Sequence, residues 1–259
     1  MKTGIIGGSG LEKASFFKKQ EELVVNTAFG KPSSPITKGI IGHHEVFLLV
    51  RHGPQHTIIP SEINNRANIL ALKDLGCTHI IATTAVGSLQ EKIAPGHFVV
   101  LDQFIDRTTQ RASTLYPERV CHIPLGEPFC PTLRKKIIAV LEKSSFTYHP
   151  KGMVITIEGP RFSTKAESFL FRSWHADVIN MSTVPEVVLA REAGMCYASI
   201  AMSTDYDCWH ESKEPVTIDM VLATMKKNSE RVQQVLFEVI THLEEDACSC
   251  REMYKTAFI

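Results

Sequence analysis

The sequence predicts one α/β domain, a β-sheet covered by helices. Three observations lead there. Short apolar runs alternate with amphipathic stretches along almost the whole chain, the pattern of strands and helices sharing one sheet. Several of the helical stretches carry their own start and stop signals. No internal repeat, low-complexity tract or linker interrupts the alternation. At 259 residues and 44% hydrophobic content the chain can bury a sizeable core. The domain is expected over residues 1–243, with a polar, frayed tail over 244–259.

In order, Thr3–Ile6 is a short strand that turns at Gly7-Gly8-Ser9-Gly10. Residues 26–45, broken by glycine and proline, are expected to be irregular or edge structure. Val46–Val50 is a buried strand running into Arg51-His52-Gly53-Pro54-Gln55-His56. Ser61–Leu75 carries an apolar stripe at helical spacing, and Gly76 ends it. His79–Thr83 and Phe98–Asp102 are strands, and a long loop-rich segment fills 106–130. A connection of that length is usually functional or lies at an interface. Pro131–Lys143 is an amphipathic helix, and Val154–Ile157 is a strand. Thr164 and Glu167 have capping-box spacing for a helix to about Trp174. Val178–Met181 is a strand, and Thr183 and Glu186 again have capping-box spacing for a helix that Gly194 stops. Tyr197–Met202 is a strand followed by Ser203-Thr204-Asp205-Tyr206-Asp207, and Thr217–Leu243 is a long helix.

Composition narrows the function classes. Net charge is zero, so no global field favours nucleic acid or an acidic membrane. No apolar run approaches the ~20 residues of a membrane span, and MKTGIIGGSGL lacks a signal-peptide core. A soluble, cytoplasmic protein is expected. The seven cysteines are odd in number and widely spaced, which argues against a secreted disulfide framework. No CxxC pair is present, which argues against zinc, and no metal is expected. The close pair Cys248 and Cys250 reads as two thiols on a frayed tail or as a redox-active or stabilising pair.

In open α/β sheets ligands sit beyond the carboxyl ends of strands. Four predicted strands end in small polar groups: Ser9, Arg51/His52, Thr84/Ala85 and Ser182. Together they offer hydroxyls, backbone N–H groups and one obligate cation, a set that suits a phosphate better than a metal. The Gly7–Gly10 loop is neither a dinucleotide fingerprint, because Lys13 stands at the third small position, nor a P-loop. No serine sits in a hydrolase elbow. If the backbone is extended at Asp205 and Asp207, both point to one side. Of two close carboxyls one is held protonated, and a neutral-acid-plus-carboxylate pair matches the N7/N6 edge of adenine. By itself the pair reads first as a solvated turn or a helix-capping pair.

The ordered motifs GIIGGSGL (4–11), RHGPQHTIIPSEIN (51–64), TTAVGSL (83–89), FIDRTT (104–109), CHIPLGEPFCP (121–131), TIEGPRFST (156–164) and INMSTVPEVVLAREAGMCYASIAMSTDYDCW (179–209) resemble the trimeric purine nucleoside phosphorylase family. The resemblance runs from about Lys2 to Leu243. It implies a single domain with a central mixed, partly barrel-like sheet. The reaction it implies is phosphorolysis of S-methyl-5′-thioadenosine to adenine and 5-methylthioribose-1-phosphate. The alternative within the family is a broader 6-aminopurine or 6-oxopurine nucleoside specificity, though 6-oxopurine members tend to carry asparagine where Asp205 stands.

The resemblance places phosphate on Ser9, Arg51, His52, Thr84, Ala85 and Ser182, and ribose near Met181. It puts the purine against Phe162, Ser163 and the Asp205-Tyr206-Asp207 segment, with Asp205 the catalytic acid. His56 and Ile218 would lie toward the 5′ substituent, and His122 would reach a neighbouring subunit's site in a homotrimer, or a hexamer of two trimers. Phosphate is a co-substrate and no cofactor is implied. Ser9 and Ser182 stand where many relatives have threonine and keep the hydroxyl, and Val86 replaces a residue that is cysteine in some. The Cys248-Ser249-Cys250 tail resembles the ending of some thermophile members, in which Cys130 and Cys196 are also offered as a pair.

Overall fold

The computed structural model describes residues 1–8, 11, 16–211, 218–244 and 248–259, without the side chains of 218–222. The expected Ser9 hydroxyl lies outside the described residues. The strands are β1 (Lys2–Gly7), β2 (Lys18–Leu23), β3 (Ile36–Ile41), β4 (His44–Val50), β5 (His79–Ser88), β6 (Phe98–Val100), β7 (Gln103–Arg107), β8 (Tyr148–His149), β9 (Met153–Ile157), β10 (Val178–Asn180) and β11 (Cys196–Tyr206). The helices are α1 (Asn65–Asp74), α2 (Pro131–Glu142), α3 (Lys165–Ser173), α4 (Thr183–Glu192), α5 (Ile218–Thr241) and α6 (Cys250–Met253).

All eleven described strands join one mixed sheet, with β2-β3-β4-β1-β5-β10-β9-β7 in order and β11, β6 and β8 branching from β5. β5 is the hinge of this arrangement. Its first half pairs in parallel with β1, its whole length pairs in parallel with β11, and its last two residues pair antiparallel with β10. β1 and β10 share one edge of β5, at its two ends, and β11 lines the other, so β5 is the branch point of the sheet. The edge strand β2 is rich in lysine and glutamate, which discourages pairing with another chain.

Alternation along the strands supplies a core on each face. Ile6, Ile80 and Tyr197 join Ile69, Leu72, Val187 and Ala190 in one cluster, under α1 and α4. Their neighbours Ile5, Ile81 and Ala198 join Leu133, Ile137, Val232 and Val239 in the other, under α2 and α5.

Local signals explain most element ends. α3 has its full capping box: Thr164 Oγ1 accepts from the Glu167 N–H and the Glu167 carboxylate from the Thr164 N–H. α1 starts later than the stripe suggests, because Asn64 caps it through the Ala67 N–H while Pro60–Glu62 forms a 3₁₀ turn. Gly194, at φ +69°, stops α4. The second expected capping box does not form. Thr183 Oγ1 accepts from Asn180 Nδ2, and the Glu186 carboxylate turns inward to an arginine.

Three further expectations are corrected. β5 and β11 run past Thr83 and Met202 to Ser88 and Tyr206, so Thr84, Ala85 and Asp205 lie within strands rather than beyond them. The start of the long loop belongs to β7. The tail is not frayed where it is described. Cys250 and Ala257 are buried, Cys121 bridges Phe258, and the Arg119 guanidinium lies 3.9 Å from the Phe258 ring centroid. The apolar residues of the tail are what dock it.

Candidate active site

A cavity of about 410 Å³ opens at the carboxyl ends of β1 and β4, along the last residues of β5 and β11. It gathers Arg51, His52, His56, Phe162, Ser163, Thr84, Ala85, Met181, Ser182, Asp205 and Asp207 from five stretches of chain. A larger apolar groove between α2 and α5, lined by Phe16, Val140, Phe146 and Phe237, holds none of these groups.

One end of the cavity is built on a buried ion pair. Arg51 is 1% exposed; its Nε and Nη2 donate to the two Glu186 carboxylate oxygens at 2.7 and 3.0 Å. Nη1 donates to the Thr83 carbonyl at 3.0 Å, and Tyr197 Oη donates to Glu186 Oε1 at 2.6 Å. Burial pulls the Arg51 pKa down, but the Glu186 charge and hydrogen bonds outweigh it, so the guanidinium is held more firmly charged than usual. Of its five N–H donors, three are engaged by described residues and two are not, which leaves them to a ligand. Gly8 packs so close that an added Cβ would stand 2.8 Å from the Thr83 carbonyl oxygen and 3.1 Å from Arg51 Nη1.

Register brings the hydroxyls together. β10 pairs Val178 with Ser88 and Ile179 with Gly87. The same antiparallel register, continued toward residue 182, sets Ser182 beside Thr84. Their hydroxyl oxygens are 2.8 Å apart. Asn180 steadies Thr84 directly: its Nδ2 donates to Thr84 Oγ1 at 3.1 Å and to Thr183 Oγ1 at 2.6 Å, while its Oδ1 accepts from Thr156 Oγ1 and, at 3.4 Å, from the Ser182 backbone N–H. His52 Nδ1 is 3.0 Å from the Ile58 carbonyl oxygen, and its ring stacks on His56 at 4.6 Å.

The opposite end is acidic. A bulge at Thr204 shifts the β11 register, so that Ser203 faces Val86 and Asp205 faces Gly87. Thr204 Oγ1 donates to Asp205 Oδ2 at 2.6 Å, and Ser163 Oγ reaches both Asp207 oxygens at 2.7–2.8 Å. Burial lifts the Asp205 carboxyl to about 6; the Thr204 hydrogen bond opposes this and the Asp207 charge adds to it. Gly87 makes room, since a Cβ there would stand 3.2 Å from Asp205 Oδ1. Between the two ends lies Met181, seated against Gly159, whose positive φ of +70° and missing side chain the contact needs. Phe162, 71% exposed, stands at the mouth.

Some expected residues are elsewhere. Tyr206 points away from the cavity, because alternation sends it opposite to Asp205 and Asp207; its ring stacks on His210 and its hydroxyl donates to the Glu91 carbonyl. His122 lies outside this chain's cavity, where its N–H donates to the Ala257 carbonyl. Ile218 opens α5, but its side chain lies outside the described residues. Sequence reasoning missed Glu186, Asn180, Thr204 and Met225. For Glu186 the signal was present: a carboxylate inside an apolar run, with Tyr197 in a strand nearby.

A branched mixed sheet with an anion-suited pocket at one end of a cavity and a carboxyl pair at the other defines a class of enzyme. The chain belongs to the phosphorylase superfamily, whose model matches residues 2–241. Within that class it is 53% identical over 249 residues to S-methyl-5′-thioadenosine phosphorylase of Danio rerio, covering 94% of this chain and 89% of that one. It is 54% identical to the protein of the same name from Xenopus tropicalis, with the same coverage. Among solved structures it superposes on methylthioadenosine phosphorylase from Schistosoma mansoni in complex with adenine, with a TM-score of 0.94 at 44% identity over 99% of this chain and 97% of that one. A variant of the adenosine/methylthioadenosine phosphorylase of that organism, in complex with methylthioadenosine, gives 0.93 at 41% identity over 100% and 99%. These findings bear out the α/β fold with a mixed sheet.

Proposed function

We propose that the protein catalyses phosphorolysis of S-methyl-5′-thioadenosine, giving adenine and 5-methylthioribose-1-phosphate. The observation that carries this reading is the polarity of one cavity: a fixed cation with paired hydroxyls at one end, a carboxyl lifted to about 6 at the other. Phosphate would be held by Arg51, His52, Thr84, Ser182 and the backbone near Gly8 and Ala85. The sugar would lie on Met181, and the purine between Phe162 and the pair Asp205/Asp207. His56, with Ile58 and Ile59, would face the 5′ substituent.

Phosphate attacks C1′ as the bond to N9 breaks, and the bound dianion stabilises the oxocarbenium-like state. The departing adenine gathers negative charge at N7. Asp205, protonated in part near neutral pH, donates there, while Asp207, oriented by Ser163, accepts from the 6-amino group. General-acid help of this kind is worth ~10²–10⁴-fold. No cofactor enters, since phosphate is the nucleophile. The assembly would be a homotrimer, or a hexamer of two trimers, in the cytoplasm. Exposed Phe162 at the cavity mouth, with Phe169, Leu170 and Trp174 also exposed, supports a surface that another subunit covers. Among the described residues no helix is long and apolar enough to cross a membrane.

Incubation with methylthioadenosine, adenosine or inosine, with and without phosphate, tests the reading. Adenine should appear from methylthioadenosine only with phosphate. Phosphate-independent release, or preference for inosine, overturns it. The second reading, in which adenosine is also cleaved, is favoured by the dual name of the Schistosoma mansoni relative and by the weakness with which an apolar pocket rejects one hydroxyl.

A further inference from the structure

Far from the cavity, four cysteines from three parts of the chain meet in the core. Cys130 caps α2, Cys196 opens β11, and Cys248 and Cys250 come from the C-terminal tail. Their Sγ atoms all lie within 4.8 Å of one another, and the Cys130 and Cys248 sulfurs are 3.4 Å apart. A tetrahedral site with Zn–S bonds of ~2.3 Å has sulfur–sulfur edges of about 3.8 Å, so the cluster needs little adjustment to close on an ion. The absence of a CxxC pair, which argued against zinc at the level of sequence, is overcome by tertiary structure.

A second observation concerns charge. Arg191, on α4, is 2% exposed, and its guanidinium is permanently charged. Its described partners are both sulfur: Nη1 donates to Cys250 Sγ and Nη2 lies 3.0 Å from Met253 Sδ, while Nε has no partner. No described carboxylate pairs with it. A buried cation beside neutral thiols, or beside neutral disulfides, would be uncompensated and strongly unfavourable. A metal tetrathiolate carries net negative charge and compensates it. The Leu133 N–H, at the start of α2, also points at Cys130 Sγ from 3.4 Å, adding a donor that favours anionic sulfur.

We propose that Cys130, Cys196, Cys248 and Cys250 bind one zinc ion, or a similarly thiophilic cation, as a structural site that fastens the C-terminal tail to the core. Binding releases four thiol protons to solvent and involves no redox step. Cys196 lies nine residues before Asp205 on the same strand, which at ~3.3 Å per residue places the metal about 30 Å from the acidic end of the cavity. The ion therefore takes no part in catalysis.

The test uses the full chain, produced in zinc-supplemented medium and purified with a phosphine reductant. Elemental analysis should find about one zinc per chain. The cobalt(II) form should show the intense visible bands and sulfur-to-metal charge transfer of a tetrahedral all-thiolate site. Cys248→Ser and Cys250→Ser should each lower zinc content by about tenfold or more, with adenine release little changed. Chains that leave zinc-rich medium without the metal overturn the proposal, whether their thiols are then free or paired in disulfides. So does a cobalt spectrum of oxygen or nitrogen ligation, or zinc retained in full by both serine variants. The spectrum of the unmutated chain decides the matter even if a variant fails to fold.

Discussion

The two ends of the cavity handle charge in opposite ways. At the Arg51 end the charges are fixed, paired and sealed: guanidinium, Glu186 and Tyr197 form a closed set beneath the hydroxyls of Thr84 and Ser182. At the Asp205 end a carboxyl sits in a burial that holds its pKa near neutrality, with a single hydroxyl from Thr204 as its resolved side-chain donor. The first arrangement suits a ligand that arrives charged and must stay put. The second suits a leaving group that becomes charged only as the bond breaks. Preorganised charge and adjustable charge are thus separated across one substrate.

Substitutions can break or sharpen that contrast. The largest effect is expected from Asp205→Asn, which keeps the shape but removes the proton donor: kcat for methylthioadenosine should fall by ~10²–10⁴-fold. Near-normal steady-state turnover would remove Asp205 from the mechanism. At the fixed end, Glu186→Gln leaves Arg51 buried with half a partner. Chemical denaturation should show a loss of about 3–5 kcal/mol, the usual result of stripping one member from a buried pair. A loss below about 1 kcal/mol, like that of a surface pair, would mean that the pair is not sealed.

The same Asp205→Asn change should stabilise the protein. Asp205 has a folded pKa of about 6, above an unfolded value of ~3.9. Its contribution to stability is therefore complete below about pH 4 and lost as pH rises through 6. Asparagine cannot ionise and escapes that loss. At pH 8 the variant should gain about 1–3 kcal/mol, or about 2–4 °C in Tm for each, and the gain should vanish near pH 4. Thermal melts at both pH values check the sign. The smallest effect is expected from Ser163→Ala, which frees Asp207 of one hydroxyl. A loss of about 1 kcal/mol, or about fivefold, should fall on KM for the purine nucleoside rather than on kcat.

Much of this was legible along the chain. The apolar alternation gave the sheet, and the polar groups after apolar runs gave Arg51, His52, Thr84 and Ser182. Spacing of two put Asp205 and Asp207 on one side, but the same rule should have excluded Tyr206, which the resemblance carried in. What stayed hidden depends on pairing between distant strands. Thr204 is unremarkable until β5 forces a bulge there. Glu186 has helix-cap spacing, and only the approach of β4 shows that its partner is Arg51. Asn180 looks like any polar residue ending a strand until β10 is seen to run antiparallel to β5. The tail hid its docking for the same reason: Cys248 and Cys250 meet Cys130 and Cys196 only in the folded chain.

The threefold pairing of β5 also bears on how the molecule is made. Its partners begin at residues 2, 178 and 196, so the strand that organises the site waits for the last of them. From the end of β5 at Ser88 to the end of β11 at Tyr206, translation at ~5–20 residues per second takes about 6–24 s. Through that interval β5, nearly all buried in the finished fold, has an open edge. Contacts of such range are slow to form and leave the nascent chain prone to association.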